Sequence, residues 1–410
     1  MIRRLRDHGP ALVVAAAGVW MMSYLALYGF GWNDYASEVV PAYDALLRGH
    51  LSQFLALAPG YGGSLELRAP FAFLPGLWHG GEVAVYQAVS IPCLVAAALF
   101  AVWLVGRMRA FGVGRLARAT ALGLCVVNPV TLYALQDGHP EELLGAVLCV
   151  AAVLAALRGR AGWAGVLLGL AIVNKQWALL AIGPVLVALP AHRWRTMAVA
   201  GTIALGFYLP LLLPAYIAHS NGSSTAAVVQ SSSGTVFQPW QLWWFFGTHG
   251  HAVQDTFGIV KVGYRAPPAW IGIISHPLIV ALSVPATLLA MRRGRRDALL
   301  LLAFLLAIRF MFDTWDTVYY PLPFIFALLA WETLQRREPP VLSLVASVVV
   351  WLVYIVAPEH LTADAQAALF LLVALPTLIA LGVALFGPGL RLHRGARTPS
   401  TLSRAPAVPS

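Results

Sequence analysis

The chain is a succession of long apolar runs separated by short polar breaks. Runs at 11–30, 84–106, 270–291 and 365–386 approach or exceed the roughly 20 residues a helix needs to span hydrocarbon. They do not alternate with period two, so they are not strands of a membrane barrel. Further apolar runs follow at 117–135, 141–157, 196–217, 297–311, 318–334 and 340–357. The segment 162–190 lies between two basic turns that belong on one face, so it must fold back once. The polar break Asn174-Lys175-Gln176 is where it can do so. The pattern predicts an all-α polytopic membrane protein with about 11–12 transmembrane helices, one of them a broken hairpin at 162–190. A single integral membrane domain is expected over 1–387, with outer loops at 31–83 and 218–269 and a disordered tail at 388–410.

Composition agrees with this reading. Of the 410 residues 60% are hydrophobic and 11% charged, against about 25% charged in soluble domains. The net charge of +10 could suit nucleic acid, but its distribution points to a membrane and no nucleic-acid partner. All 27 Lys and Arg residues except Arg48, Arg68, Lys175, Lys261, Arg265 and Arg309 fall on one face of the span map, whereas of the acids only Asp7, Asp297, Glu332 and Glu338 do. Basic residues mark the cytoplasmic side, so both termini are expected there. Several separate spans exclude a signal peptide ahead of a soluble domain. Cys93, Cys125 and Cys149 lie in apolar stretches and read as small buried hydrophobes.

Four places could carry chemistry. Asp34 and Glu38, just beyond the first span, are spaced to share a helix face; Asp34 is a candidate general base. Alternatively Asp34 or Asn33 caps an amphipathic helix at 35–47. The turn Asp137-Gly138-His139-Pro140-Glu141-Glu142 has helix-start signals and could also line an active-site rim. One His with two Glu lacks metal-site spacing, so no metal is expected. Lys175 sits midway in an apolar segment. A cation at that depth needs a partner or a cavity, and it suits a phosphate; the bland alternative is a Lys snorkelling to the interface. Its removal is expected to spare the fold. Arg309, with Asp313 four residues on and Asp316 beyond, is either an ion pair or a phosphate contact. The run Trp240-Gln241-Leu242-Trp243-Trp244 reads as an interfacial aromatic belt, with a platform for a lipid or sugar as the alternative. Gly60–Gly63 does not lead into a helix with Lys-Ser/Thr, so no nucleotide loop is present.

Asp34 after the first span, the polar turn 137–142 and the run Leu167-Leu168-Gly169-Leu170-Ala171-Ile172-Val173-Asn174-Lys175 together resemble the membrane-embedded type C (GT-C) glycosyltransferases. The arrangement is similar to the polyprenol-phosphate-mannose-dependent enzymes of glycosyltransferase family 87. The chain departs from them in having Gly-His-Pro-Glu for a Gly-Gln-x-Asn-like turn and Lys-Gln-Trp-Ala for Lys-x-x-Pro, which bears on the sugar more than on the fold. The resemblance implies an inverting transfer of a sugar, mannose in those relatives, from a polyprenyl-phosphate donor to a lipid or glycan acceptor. It implies that Asp34 takes the acceptor proton and Lys175 holds the donor phosphate, with no cofactor; from their positions Glu38 joins Asp34 as a catalytic candidate, and His139, Glu141, Arg309 and Asp313 join Lys175 as substrate-binding candidates. It places the protein in the bacterial plasma membrane, with membrane lipid and the lipid-linked sugar as partners. A polytopic transporter or lipid flippase, which also carries charges and broken helices inside the membrane, is the alternative.

Overall fold

The computed structural model describes residues 2–29, 34–217, 237–254 and 260–387. The protein is an all-α polytopic membrane protein with one small β-hairpin. The expected tail 388–410, the Ser/Gly-rich stretch 219–235 and the candidate cap Asn33 lie outside the described residues.

Among the described residues seven helices are long and apolar enough to cross a membrane: Gly9–Tyr28, Glu82–Ala110, Arg115–Gln136, Arg193–Leu212, Ala269–Arg293, Val341–His360 and Ala363–Phe386. The remaining expected spans are shorter helices. Helices Ala298–Phe312 and Leu322–Ala330 are buried at nearly every position, as a helix that is apolar all round must be. They form the centre of the bundle and the longer helices enclose them. In chain order the first part runs α1 (Ile2–Leu25), α2 (Val40–Leu47), α3 (Leu51–Leu57), α4 (Gly62–Ala72), α5 (Glu82–Ala110), α6 (Arg115–Val126), α7 (Pro129–Gln136), α8 (Glu141–Leu157), α9 (Ala161–Asn174), α10 (Ile182–Ala188) and α11 (Arg193–Ile217).

The segment expected as a loop at 31–83 is largely helical from Tyr35 onward. A π-helical turn Tyr35–Val39 leads into α2, and α2 to α4 pack Tyr43, Phe54 and Leu65 against Tyr35 and Tyr86. Apolar residues at helical spacing gave these short helices a face to bury.

The fold-back at 162–190 is present. Arg295 Nε donates to the carbonyl of Ala188 at 2.7 Å and its Nη2 to that of Leu157 at 2.8 Å, while Thr196 Oγ1 donates to Ala161 O at 3.0 Å. The end of α10 therefore returns to the beginning of α9. Lys175 is the break: its extended backbone (φ −155°, ψ 133°) ends α9 and starts a 3₁₀ turn, Gln176–Ala181.

The segment 218–269 holds an unforeseen antiparallel hairpin, β1 (Thr248–Gln254) with β2 (Val260–Ala266), Thr248 opposite Ala266. The aromatic run before it is not an exposed belt. Trp243 and Trp244 are buried with Phe237, Tyr264 and Ile271 in a core of their own, and only Phe245 and Phe246 are exposed. Their indoles find partners that lipid could not supply: Trp243 Nε1 donates to Phe312 O at 2.7 Å and Trp244 Nε1 to Asp364 Oδ1 at 2.8 Å. Arg265 binds both Asp364 oxygens, at 2.7 and 2.8 Å, tying the hairpin to the start of the last helix.

Candidate active site

Several local devices bring the polar residues to one end of the bundle. Asn128 Oδ1 accepts the Val130 N–H at 2.9 Å and Pro129 opens α7, so the third apolar run bends there. The turn after α7 passes through Gly138 at φ +89°, where a Cβ would stand 2.8 Å from that of Tyr35. Only glycine lets the turn close on the chain beside Asp34. Pro140 then starts α8 with Glu141 and Glu142 in its first turn, where the helix dipole favours carboxylates. Gly63 does the same for α4: a Cβ there would lie 2.5 Å from Val173 O, so α4 passes hard against the end of α9. Ser64 Oγ donates to Asn174 Oδ1 at 3.2 Å and Asn174 Nδ2 donates to Glu141 O at 2.8 Å, fixing the break next to Lys175.

The charges meet in one network. His139 lies between two carboxylates, with Nδ1 2.7 Å from Glu141 Oε1 and Nε2 3.1 Å from Asp34 Oδ2. Glu141 also receives Lys175 Nζ on Oε1 at 3.2 Å and Arg68 Nη2 on Oε2 at 3.1 Å. Glu142 gathers Lys175 at 3.6 Å, the Trp177 indole N–H at 3.1 Å and Arg309 Nη1 at 3.6 Å. Aromatic faces line the cations: Lys175 Nζ stands 3.8 Å from the Tyr61 ring centre, and Arg309 lies 4.0 Å and 4.8 Å from those of Tyr320 and Trp177. Such contacts strengthen when desolvated. In the turn, burial pushes the Asp137 carboxyl up to about 7. Burial and Lys175 press the His139 imidazole down, but the Glu141 and Asp34 carboxylates outweigh them and lift it to about 10.

These groups border one cavity of 1330 Å³. Asp34, Glu38, His139, Glu142, Lys175, Arg309 and Asp313 all line it. Asp34 offers a half-exposed carboxylate and makes no cap bond to the helix it precedes, so the capping role fails and the bond to His139 replaces it. Glu38 accepts from the Tyr61 hydroxyl. Lys175 does not snorkel; its side chain is 12% exposed and held by two carboxylates. Arg309 turns to Glu142 instead of forming the expected pair with Asp313. Asp313 instead faces His276 at 3.5 Å and accepts the Trp315 N–H at 3.0 Å. Burial raises the Asp313 carboxyl, but His276 and Arg309 hold it below the usual range. Glu141, fully buried, lies behind the cavity wall and does not line it. Among the described residues no group of three or more His, Cys, Asp or Glu is arranged to hold a metal ion.

The sequence matches the profile of glycosyltransferase family 87 over residues 63–314. The protein belongs to that family. No curated protein matches the chain. Membership of glycosyltransferase family 87 favours the enzyme over the transporter or flippase, and the protein is a multi-pass membrane glycosyltransferase. The matched stretch of this family 87 enzyme takes in Arg68, His139, Glu141, Glu142, Lys175, Arg309 and Asp313, while Asp34 and Glu38 precede it. Sequence reasoning passed over Arg68, Trp177 and Tyr320, and named Glu142 only as part of the turn 137–142 that could line the rim. Arg68 had a signal: it was one of few cations off the basic face. Glu142 was not told apart from Glu141, because consecutive helix positions point in different directions and nothing in the sequence says which of two glutamates meets the cavity.

Proposed function

We propose that this enzyme transfers a sugar, mannose, from a polyprenyl-phosphate donor to a hydroxyl of a lipid or glycan acceptor, with inversion, at the outer face of a bacterial plasma membrane. Both termini then lie in the cytoplasm. The observation that carries this reading is that one carboxylate, Asp34, and two cations, Lys175 and Arg309, open into the same cavity. Its 1330 Å³ exceeds the roughly 300–1,000 Å³ of a typical small-ligand pocket, so it has room for a donor and an acceptor together.

Asp34 takes the proton of the acceptor hydroxyl as its oxygen attacks the anomeric carbon. The bond from that carbon to the phosphate oxygen breaks, and polyprenyl phosphate leaves with the electron pair. Lys175 and Arg309 converge on one anionic group, the Glu142 carboxylate, and both line the cavity, where they would meet the oxygens of a donor phosphate. In a site walled by protein and lipid such preorganised charge acts more strongly than in water. The donor brings its own activated phosphate, so a nucleotide site is not required.

The deciding experiment is Asp34→Asn in a lipid-linked sugar transfer assay with purified protein. Asn keeps the shape and loses the basicity, so turnover falls by about 10²–10⁴-fold while the protein remains folded. Turnover within a few-fold of the wild type would remove Asp34 from the role.

A further inference from the structure

We propose that Glu141, backed by Arg68, is the positioning residue that sets the base and the phosphate-binding cation relative to each other. This rests on the reading of Asp34 and Lys175 above. Neither Glu141 nor Arg68 lines the cavity, and they are 0% and 2% exposed, so they act on substrates only through other side chains. Two buried charges beneath the cavity floor need a reason, since burying each ion carries a desolvation penalty of several kcal/mol.

The geometry supplies that reason. One oxygen of Glu141, Oε1, meets both His139 Nδ1 and Lys175 Nζ, at 2.7 and 3.2 Å, and Arg68 engages Oε2. The imidazole is thereby set between Glu141 and Asp34. A neutral imidazole has one N–H and could donate to only one of these carboxylates; the imidazolium donates to both. Glu141 thus holds His139 as a cation whose Nε2–H fixes Asp34 Oδ2 and leaves the other Asp34 oxygen for the acceptor. The same Glu141 oxygen anchors Lys175, so the acceptor half and the donor half of the site share one reference point.

The groups facing His139 are Asp34, Glu141, Lys175 and Asp137, with the rings of Tyr61 and Tyr319 beside it. Of the carboxylates in hydrogen-bond contact with His139 among the described residues, Glu141 is the one neutralised from behind, by Arg68. The two buried partners therefore act on the imidazolium with opposite sign. Removing the Glu141 charge destabilises it; removing Arg68 leaves Glu141 a stronger partner for it.

The test is the pH profile of transfer by Glu141→Gln and Arg68→Met in the purified enzyme, with donor KM measured alongside. Glu141→Gln is expected to lower kcat, raise donor KM and bring the alkaline limb down by about one pH unit or more. Arg68→Met is expected to keep that limb at or above its wild-type position. If Glu141→Gln does not fold, the double variant Arg68→Met/Glu141→Gln, which removes both buried charges together, replaces it with the same expected downward shift. Limbs unmoved in every folded variant would assign the pair to structure alone and overturn the proposal. Failure of both Glu141→Gln and the double variant to fold would overturn it too. Asp34→Asn separates the layers. If it is inactive while Glu141→Gln shows an unmoved limb, only this inference falls; if it turns over normally, the base assignment falls and takes this inference with it.

Discussion

At the cavity end of the bundle buried cations meet carboxylates, and at the opposite end Arg293 and Arg295 meet the backbone, with Arg336 and Glu338 a more exposed ion pair there. Around the cavity Arg68 and Lys175 pair with Glu141, and Arg309 with Glu142, and all three cations are largely buried. At the far end of α8, about 25 Å away by helical rise, Arg295 donates to the last carbonyls of α8 and α10. Arg293 donates to Leu385 O and Gly387 O at the end of the last helix, each at 3.1 Å. The buried acid on that side, Glu332, accepts the backbone N–H groups of Leu342 and Ser343, both at 2.8 Å, where helix Val341–Trp351 begins. There charge closes helix ends, satisfying backbone groups the helices leave open. At the cavity end charge is buried and bound to other charge, an arrangement that packing alone does not call for and that suits the proposed transfer from a phosphate-linked donor.

If this division is right, variants at the two ends must fail differently. The largest effect is expected from Lys175→Ala. The sequence alone suggested that its loss would spare the fold; its contacts with Glu141 and Glu142 argue otherwise. Removing one partner of a buried ion pair typically costs about 3–5 kcal/mol. Loss of a direct phosphate partner should also raise donor KM by about thirty-fold, from a loss of about 2 kcal/mol. Thermal melting in detergent and a donor titration read the two separately. Unchanged melting and unchanged KM together would show that the cavity-end pairs are not what holds the site.

Arg309→Lys should be milder. It keeps the charge but gives up the planar group lying against Tyr320 and Trp177, and the two side chains are not equivalent where the guanidinium stacks. Donor KM is expected to rise by about ten-fold, since a desolvated cation–π contact contributes about 1–2 kcal/mol, with the melting temperature nearly unchanged. Equal KM in Arg309→Lys and wild type would mean that only the charge matters there.

Arg295→Met probes the other end. It removes two hydrogen bonds to helix C-termini, each worth about 1 kcal/mol. Melting should fall by a few degrees while kcat per folded molecule and donor KM stay at wild-type values. A change in KM would show that the capping end communicates with the cavity.

The sequence carried the helices and the topology of the broken segment well, because apolar length and the placement of arginines are local properties. The helix at 35–47 was legible as an amphipathic stretch and is present, whereas those at 51–72 were harder to see, since they are short and pack in a cluster completed by Tyr86 from a different element. The hairpin at 248–266 was missed because β1, with Thr248-His249-Gly250-His251, lacks the alternation that marks a strand, although β2, Val260-Lys261-Val262-Gly263-Tyr264-Arg265, carries it. Lys175 and Asp34 were legible as charges at odd places. What joined them was not: His139 reaches Asp34 across 105 positions and Glu141 reaches Lys175 across α8 and α9. Arg309 looked matched to Asp313 by spacing, and the helical backbone bond from Asp313 N–H to Arg309 O is made at 2.9 Å, yet the guanidinium turns to Glu142 while Asp313 faces His276. Glu142 was a better partner in space, and spacing cannot report that.

Glu66 gives the smallest and most discriminating effect, because it is an acid at the cavity end for which burial alone accounts for a shifted titration. It lies on α4, outside the apolar spans, and burial pushes its carboxyl up to about 7. Burial favours the neutral form of an acid, so the folded protein holds this proton to higher pH than the unfolded chain, where a glutamate titrates near 4.5. A group whose folded value is raised contributes stability that is full below the unfolded value and is lost as pH rises through the folded one. Wild-type melting temperature should therefore carry a component that declines between about pH 4.5 and pH 7. Glu66→Gln, which is neutral throughout, should remove that component, melting slightly below wild type at pH 4.5 at most and at or above it at pH 8, with transfer activity unaltered. The outcome that would break the comparison is a Glu66→Gln variant less stable than wild type at pH 8. It would mean that the Glu66 carboxylate is held by a cation after all, and that pairing at the cavity end extends beyond the residues that touch the cavity.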